Sequence, residues 1–197
     1  MDDEIKSALE IAMEKVKKLG EPTEEERLKW KHGPEGEQLA ARYLKEDCNL
    51  VAELSQYQEK VRKYIVEGAS EVLIQNISLP KNDVAKKNNR KAMDGLKLLK
   101  NDKVSVENVY SRIRNLFNHY TEQGEQQRRQ AYESLKAEFE ARIQQAIQQQ
   151  LGSFMGTRID VERQPQFQQE WRKILIQLDS QYLSLLGEYK RELSSIA

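Results

Sequence analysis

The feature that most constrains this chain is the spacing of large apolar residues in its last segment. Phe167, Trp171, Ile174, Leu178, Tyr182, Leu185, Tyr189, Leu193 and Ile196 cover 29 positions in eight steps. That is about 3.6 residues per step, the repeat of an α-helix. Leu175, Leu183 and Leu186 widen the stripe beyond the narrow seam of a two-stranded coiled coil. A stripe this wide predicts a helix near 160–196 that meets more than one neighbour and lies centrally in the core.

Two further long helices follow from the same reasoning. Val109, Ile113, Leu116, Phe117 and Tyr120 form one stripe, and Tyr132, Leu135, Phe139, Ile143, Ala146, Ile147 and Leu151 form another. The polar joint EQGEQQRRQ around Gly124 separates them, and the spacing predicts one continuous helix near 105–151 with Ser105 as N-cap. Tyr43, Leu50, Leu54, Tyr57, Val61 and Tyr64 predict a helix near 35–76, bent at Gly68 and ended by SLPKND.

Shorter helices fill the rest. Ile5, Leu9, Ala12, Val16 and Leu19 share one helical face, ended by Gly20 and Pro22. Thr23 with Glu26 is a capping-box pattern, opening a short helix that HGPEG closes at about residue 32. Val84, Ala92, Met93, Leu96 and Leu99 predict a helix over 83–100. The glutamine-rich stretch 140–171 reads as a hairpin bend: Gln144, Gln145, Gln148, Gln149 and Gln150 surround the apolar face of one helix, and Gln166, Gln168 and Gln169 flank Phe167 and Trp171 on the next. Gly152 sits where a helix C-cap would, and Pro165 suits the first turn of a helix.

With nine glycines, four prolines and no period-two alternation, few turns and no sheet are expected. The fold class is therefore all-α: an elongated antiparallel helical bundle of long, coiled-coil-like helices with shorter helices packed at the ends. It is expected as a single elongated helical domain over 1–197, with sub-parts at 1–100 and a hairpin at 105–197 bending near 152–164. Composition agrees, because 32% charged against 38% hydrophobic residues, with mean hydropathy −0.82, suits narrow apolar stripes on largely wet helices.

Charge and motifs narrow the function classes. The 32 basic and 32 acidic residues cancel, which removes a general electrostatic case for nucleic acid or an anionic membrane. The acidic start MDDEIKSALE lacks the pattern of a signal peptide, and no apolar run is long enough for a membrane span, so a cytoplasmic location is expected. The single cysteine, Cys48, has no intrachain partner, and beside Glu46 and Asp47 a structural role is expected. Di-iron bundles use Glu-x-x-His pairs, but Lys29 stands three before His32 and Leu116 three before His119. There is no phosphate-binding glycine loop, and GSFMG at 152–156 lies in a polar context suited to a turn. No nucleophile elbow is present either. Neither catalysis nor a metal or cofactor is expected.

One segment is locally basic. KNDVAKKNNRKAMDGLKLLKNDK, 81–103, has eight basic residues against three acids, and Lys86, Lys87, Arg90 and Lys91 fall near one side of its helix. It has no aromatic residue on which a base could stack. The expected function is a non-enzymatic helical interaction protein, a scaffold, spacer or assembly subunit, binding protein partners through long helical faces and extending to self-association. The alternative is a nucleic-acid-associated helical protein using Lys86, Lys87, Arg90 and Lys91.

Overall fold

The computed structural model describes residues 22–46, 48–151 and 160–196. Among them are six α-helices, one 3₁₀ turn and no strand: α1 (Glu24–Lys45), α2 (Leu50–Ser55), α3 (Glu59–Asn76), α4 (Asp83–Leu99), α5 (Lys103–Leu151), the turn Val161–Arg163, and α6 (Pro165–Ser195). The chain is all-α. It divides into two compact units, Met1–Leu73 and Ile74–Ala197, the boundary falling inside α3. The helix expected over 5–19 and the Gly152 cap lie outside the described residues.

The first unit departs from expectation at the C-terminal end of α1. Its start is as predicted: the Thr23 side chain accepts from the Glu26 N–H, and Glu26 reaches back to the Thr23 N–H at 2.8 Å. The helix does not close at HGPEG, however, but runs through Pro34 to Lys45. Pro34 has no N–H for the carbonyl four residues back, which costs a helix about 3 kcal/mol. Burial of Gly36, Leu39 and Ala40 on the far side of it offsets that loss. The glycines serve a helix crossing: a Cβ on Gly36 would stand 2.0 Å from the Ile65 carbonyl oxygen of α3, and one on Gly68 would stand 2.3 Å from the Gly33 carbonyl oxygen. Lys29–Glu67 (2.6 Å) and Lys63–Glu25 (3.2 Å) flank this crossing.

The helix expected over 35–76 is three helices. Asn49 caps α2 by accepting from the N–H groups of Val51 and Ala52, and Gln56 ends it. Helix α3 then starts at Glu59 and continues through Gly68, where it meets the Gly33 backbone of α1. An apolar spacing that survives two chain breaks reflects one buried side shared by successive helices, which periodicity alone cannot distinguish from a single helix.

In the second unit, SLPKND ends α3 as expected, and Asn82 caps α4 through the Ala85 N–H at 2.8 Å. Asn89 clamps the connection, accepting from the Ser78 N–H at 2.8 Å and donating to its carbonyl at 2.6 Å. Ala92, Met93, Leu96 and Leu99 are buried, whereas Val84 is 68% exposed, off the core side. Asp102, not Ser105, caps α5: its carboxylate accepts from the Ser105 N–H at 3.0 Å and from the Ser105 hydroxyl at 2.6 Å. Either oxygen-bearing side chain can cap, and the earlier one starts the helix.

Helix α5 is continuous through Gly124, 49 residues, or about 74 Å at 1.5 Å per residue. It packs antiparallel to α6, which begins with Pro165 at its first turn as the sequence indicates. Along α6, Phe167, Tyr182, Leu186 and Leu193 are buried, but Leu183 and Leu185 are exposed, so the stripe is narrower than its letters suggest.

Candidate functional site

Helix α4 and the first part of α5 line a half-open cavity of about 460 Å³. From α4 come Lys86, Asn89, Arg90, Met93, Asp94 and Lys97; from α5 come Glu107, Tyr110, Arg114, Phe117, Asn118 and Thr121, with Pro80 at one end. Lys86, Asn89, Arg90, Met93 and Lys97 share a wall because steps of three and four residues return to the same side of a helix.

The floor is closed and already satisfied. Tyr110 is buried and donates to the Met93 carbonyl at 2.7 Å, and burial pushes its hydroxyl well above the usual tyrosine range. At the rim, Glu107 holds Lys97 at 2.7 Å and Arg114 at 2.5 Å. The Lys97 hydrogen bond, with the charges of both cations, keeps the Glu107 carboxyl below the usual glutamate range. Lys86 meets Asp83 at 3.1 Å. Arg90 has no acidic partner among the described residues.

Of the four residues singled out by sequence, Lys86 and Arg90 stand in this wall, and Lys87 and Lys91 do not. The rest of the basic segment is drawn into the fold: Lys81 pairs with Asp179 at 2.6 Å, Lys100 donates to the Ile196 carbonyl, and Lys103 donates to the carbonyls of Lys97 and Leu98. Sequence reading missed the α5 side of the cavity, Arg114 and Asn118 above all, because periodicity places them only on the wet face of a helix.

Along the α5–α6 seam lies a second polar cluster. Asp179 on α6 is only 5% exposed; Lys81 bonds one of its oxygens, and the other has Arg128 at 4.0 Å and no hydrogen-bond partner. Arg128 lies over the Tyr120 ring at 4.2 Å and donates to the Tyr120 carbonyl at 3.2 Å. Burial pushes the Tyr120 hydroxyl up to about 12. His119 meets the Tyr182 hydroxyl at 2.9 Å, and a Cβ on Gly124 would come within 3.2 Å of that hydroxyl. Gly124, expected as a polar joint, thus leaves room on α5 for the Tyr182 ring of α6.

Residues 51–195 match the model of a family of unknown function, DUF6657. The chain belongs to that family. No curated protein and no solved structure matches it. The DUF6657 match takes in α3 to α6, hence the whole cavity wall and the Asp179 seam, and leaves out α1. Among the described residues, no cluster of His, Cys, Asp and Glu is arranged to hold a metal, and no helix is long and apolar enough to cross a membrane.

Beyond Gly124 the hairpin has a core of its own. Leu135 and Phe139 of α5, Val161 of the 3₁₀ turn and Phe167 of α6 are buried together, with Tyr132, Ile143, Trp171 and Ile174 packed around them. Phe139–Phe167, Tyr132–Phe167 and Tyr132–Trp171 meet edge to face at 5.4, 5.6 and 5.1 Å.

Proposed function

We propose that this protein is a non-enzymatic helical interaction protein, an assembly subunit or scaffold of the cytoplasm, and that its partner surface is the distal α5–α6 hairpin. The supporting observation is apolar surface left open there. Ile176 is 71% and Leu183 52% exposed, seven residues apart on one side of α6, while Trp171, Ile174, Leu175 and Leu178 are half-buried. Two helices and a turn cannot enclose so many large side chains, whereas four helices can. A second copy of the hairpin is the partner that fits, because 32 basic and 32 acidic residues leave no net charge to hold copies apart.

Sedimentation velocity tests this reading. The wild-type chain is expected to dimerise, and Ile176→Glu with Leu183→Glu to return it to a monomer while retaining its helical circular dichroism. A wild-type chain that stays monomeric at its highest soluble concentration overturns the reading. Nucleic-acid association through 81–103 has less support, since Lys81, Lys86 and Lys97 are paired with carboxylates. Retention on DNA or RNA at about 50 mM salt, lost on charge reversal at Lys87 and Arg90, would restore it.

A further inference from the structure

We propose that the cavity between α4 and α5 binds a small organic anion, with its charged head on Arg90 and its apolar body against Met93 and Phe117. Three observations converge on this chemistry.

The first is size and form: about 460 Å³ lies within the roughly 300–1,000 Å³ of sites that take small molecules. The second is charge. Of the cations in the walls, Lys86 is held by Asp83, and Lys97 and Arg114 by Glu107, which leaves Arg90 as the wall cation without a carboxylate within ion-pair distance among the described residues, with Asp94 one turn away. Glu107 is occupied by Lys97 and Arg114, so it neither takes Arg90 nor stands as a free acid against an incoming anion. Arg90 is left with five N–H donors in a planar fork, the geometry that grips a carboxylate or phosphate through two parallel hydrogen bonds. Lys86, one turn away on the same wall, is held by Asp83 at 3.1 Å, so the head group rests on Arg90.

The third observation is the floor. Tyr110 and Asn89 are the buried polar side chains there, and both spend their hydrogen bonds within the protein, on the Met93 carbonyl and on Ser78. They ask nothing of a ligand, so the inner end accepts an apolar body at no polar cost. A charged mouth over an apolar floor selects an amphiphilic acid over either inorganic phosphate or a neutral hydrocarbon.

The test is titration calorimetry of the full chain with phenyl phosphate and with benzoate, beside inorganic phosphate and benzyl alcohol as half-ligands. One equivalent of phenyl phosphate or benzoate is expected to bind, with a dissociation constant on the order of 1 mM for so small a probe. Whichever of the two binds more tightly identifies the head group. Both half-ligands are expected at least about tenfold weaker. Arg90→Gln, at an exposed position that leaves the fold intact, is expected to weaken the preferred probe about tenfold. Lys87→Gln, on the same helix but outside the cavity, should change it less than about twofold. Inorganic phosphate binding as tightly as phenyl phosphate, binding unchanged by Arg90→Gln, or no binding of either aromatic acid would each overturn the proposal. Because the cavity and the distal hairpin are separate surfaces, monomeric Ile176→Glu, Leu183→Glu protein should still bind the probe.

Discussion

The two units hold their helices together by opposite means. In the first, α1 and α3 touch backbone to backbone, and Gly36 and Gly68 leave room for the carbonyl oxygens of Ile65 and Gly33. In the second, α5 and α6 are held by side-chain volume: Ile113 and Leu193 are fully buried near one end, and aromatic rings packed edge to face fill the other. A crossing built on glycine fails when an atom is added, whereas a core built on large residues fails when atoms are removed.

The largest effect is expected from removal. Ile113→Ala should cost about 4 kcal/mol, because a side chain with no exposed surface leaves a cavity that α4 and α6 cannot collapse into. Urea unfolding of the full chain measures it. Gly36→Ala should cost about 3 kcal/mol, at the upper end for overpacking, since its Cβ would meet a backbone atom rather than a flexible side-chain end. Hydrogen exchange should show that loss as faster exchange in α1 and α3. Similar destabilisation by Gly33→Ala would break the comparison, because a Cβ there meets nothing within 4 Å. Its expected outcome is a gain of up to about 1 kcal/mol from helix propensity.

Smaller effects sharpen the second unit. Asp179→Ala should cost about 1–2 kcal/mol, modest for a buried carboxylate because Lys81 is more than half exposed and stays solvated without it. The Glu107 carboxyl is held below its ordinary value of 4.5, chiefly by Lys97. A lowered folded value means that its contribution is present above about pH 4.5 and is lost as pH falls through the folded value. Since the Glu107 side chain is 40% exposed, that contribution should be under about 1 kcal/mol. Wild type and Glu107→Gln should therefore differ slightly in urea midpoint at pH 7 and coincide near pH 3.

Much of the second unit is legible in the sequence. The stripe from Phe167 to Leu193, the Pro165 start and the continuity of α5 all follow from spacing and helix-end chemistry. The first unit is harder, because Gly33, Pro34 and Gly36 carry the letters of a turn while serving a helix crossing. Local propensity is indifferent to what packs opposite, and the carbonyls of Ile65 and Gly33 decide the matter. The cavity was half legible for a similar reason. Lys86 and Arg90 stand out as charge on α4, but Arg114 reaches the same space from a helix some twenty residues later in the chain.

The open face of α6 in the distal hairpin depends on α5 being one unbroken helix through Gly124. Pulsed electron paramagnetic resonance measures this directly, with spin labels on Asn108→Cys and Gln145→Cys in a Cys48→Ser background. Both label positions are exposed on α5, and they stand 37 residues apart. A continuous helix predicts a narrow distribution centred at about 55 Å. A broad distribution, or one centred below about 40 Å, would mean that α5 breaks at Gly124 and would contradict the account.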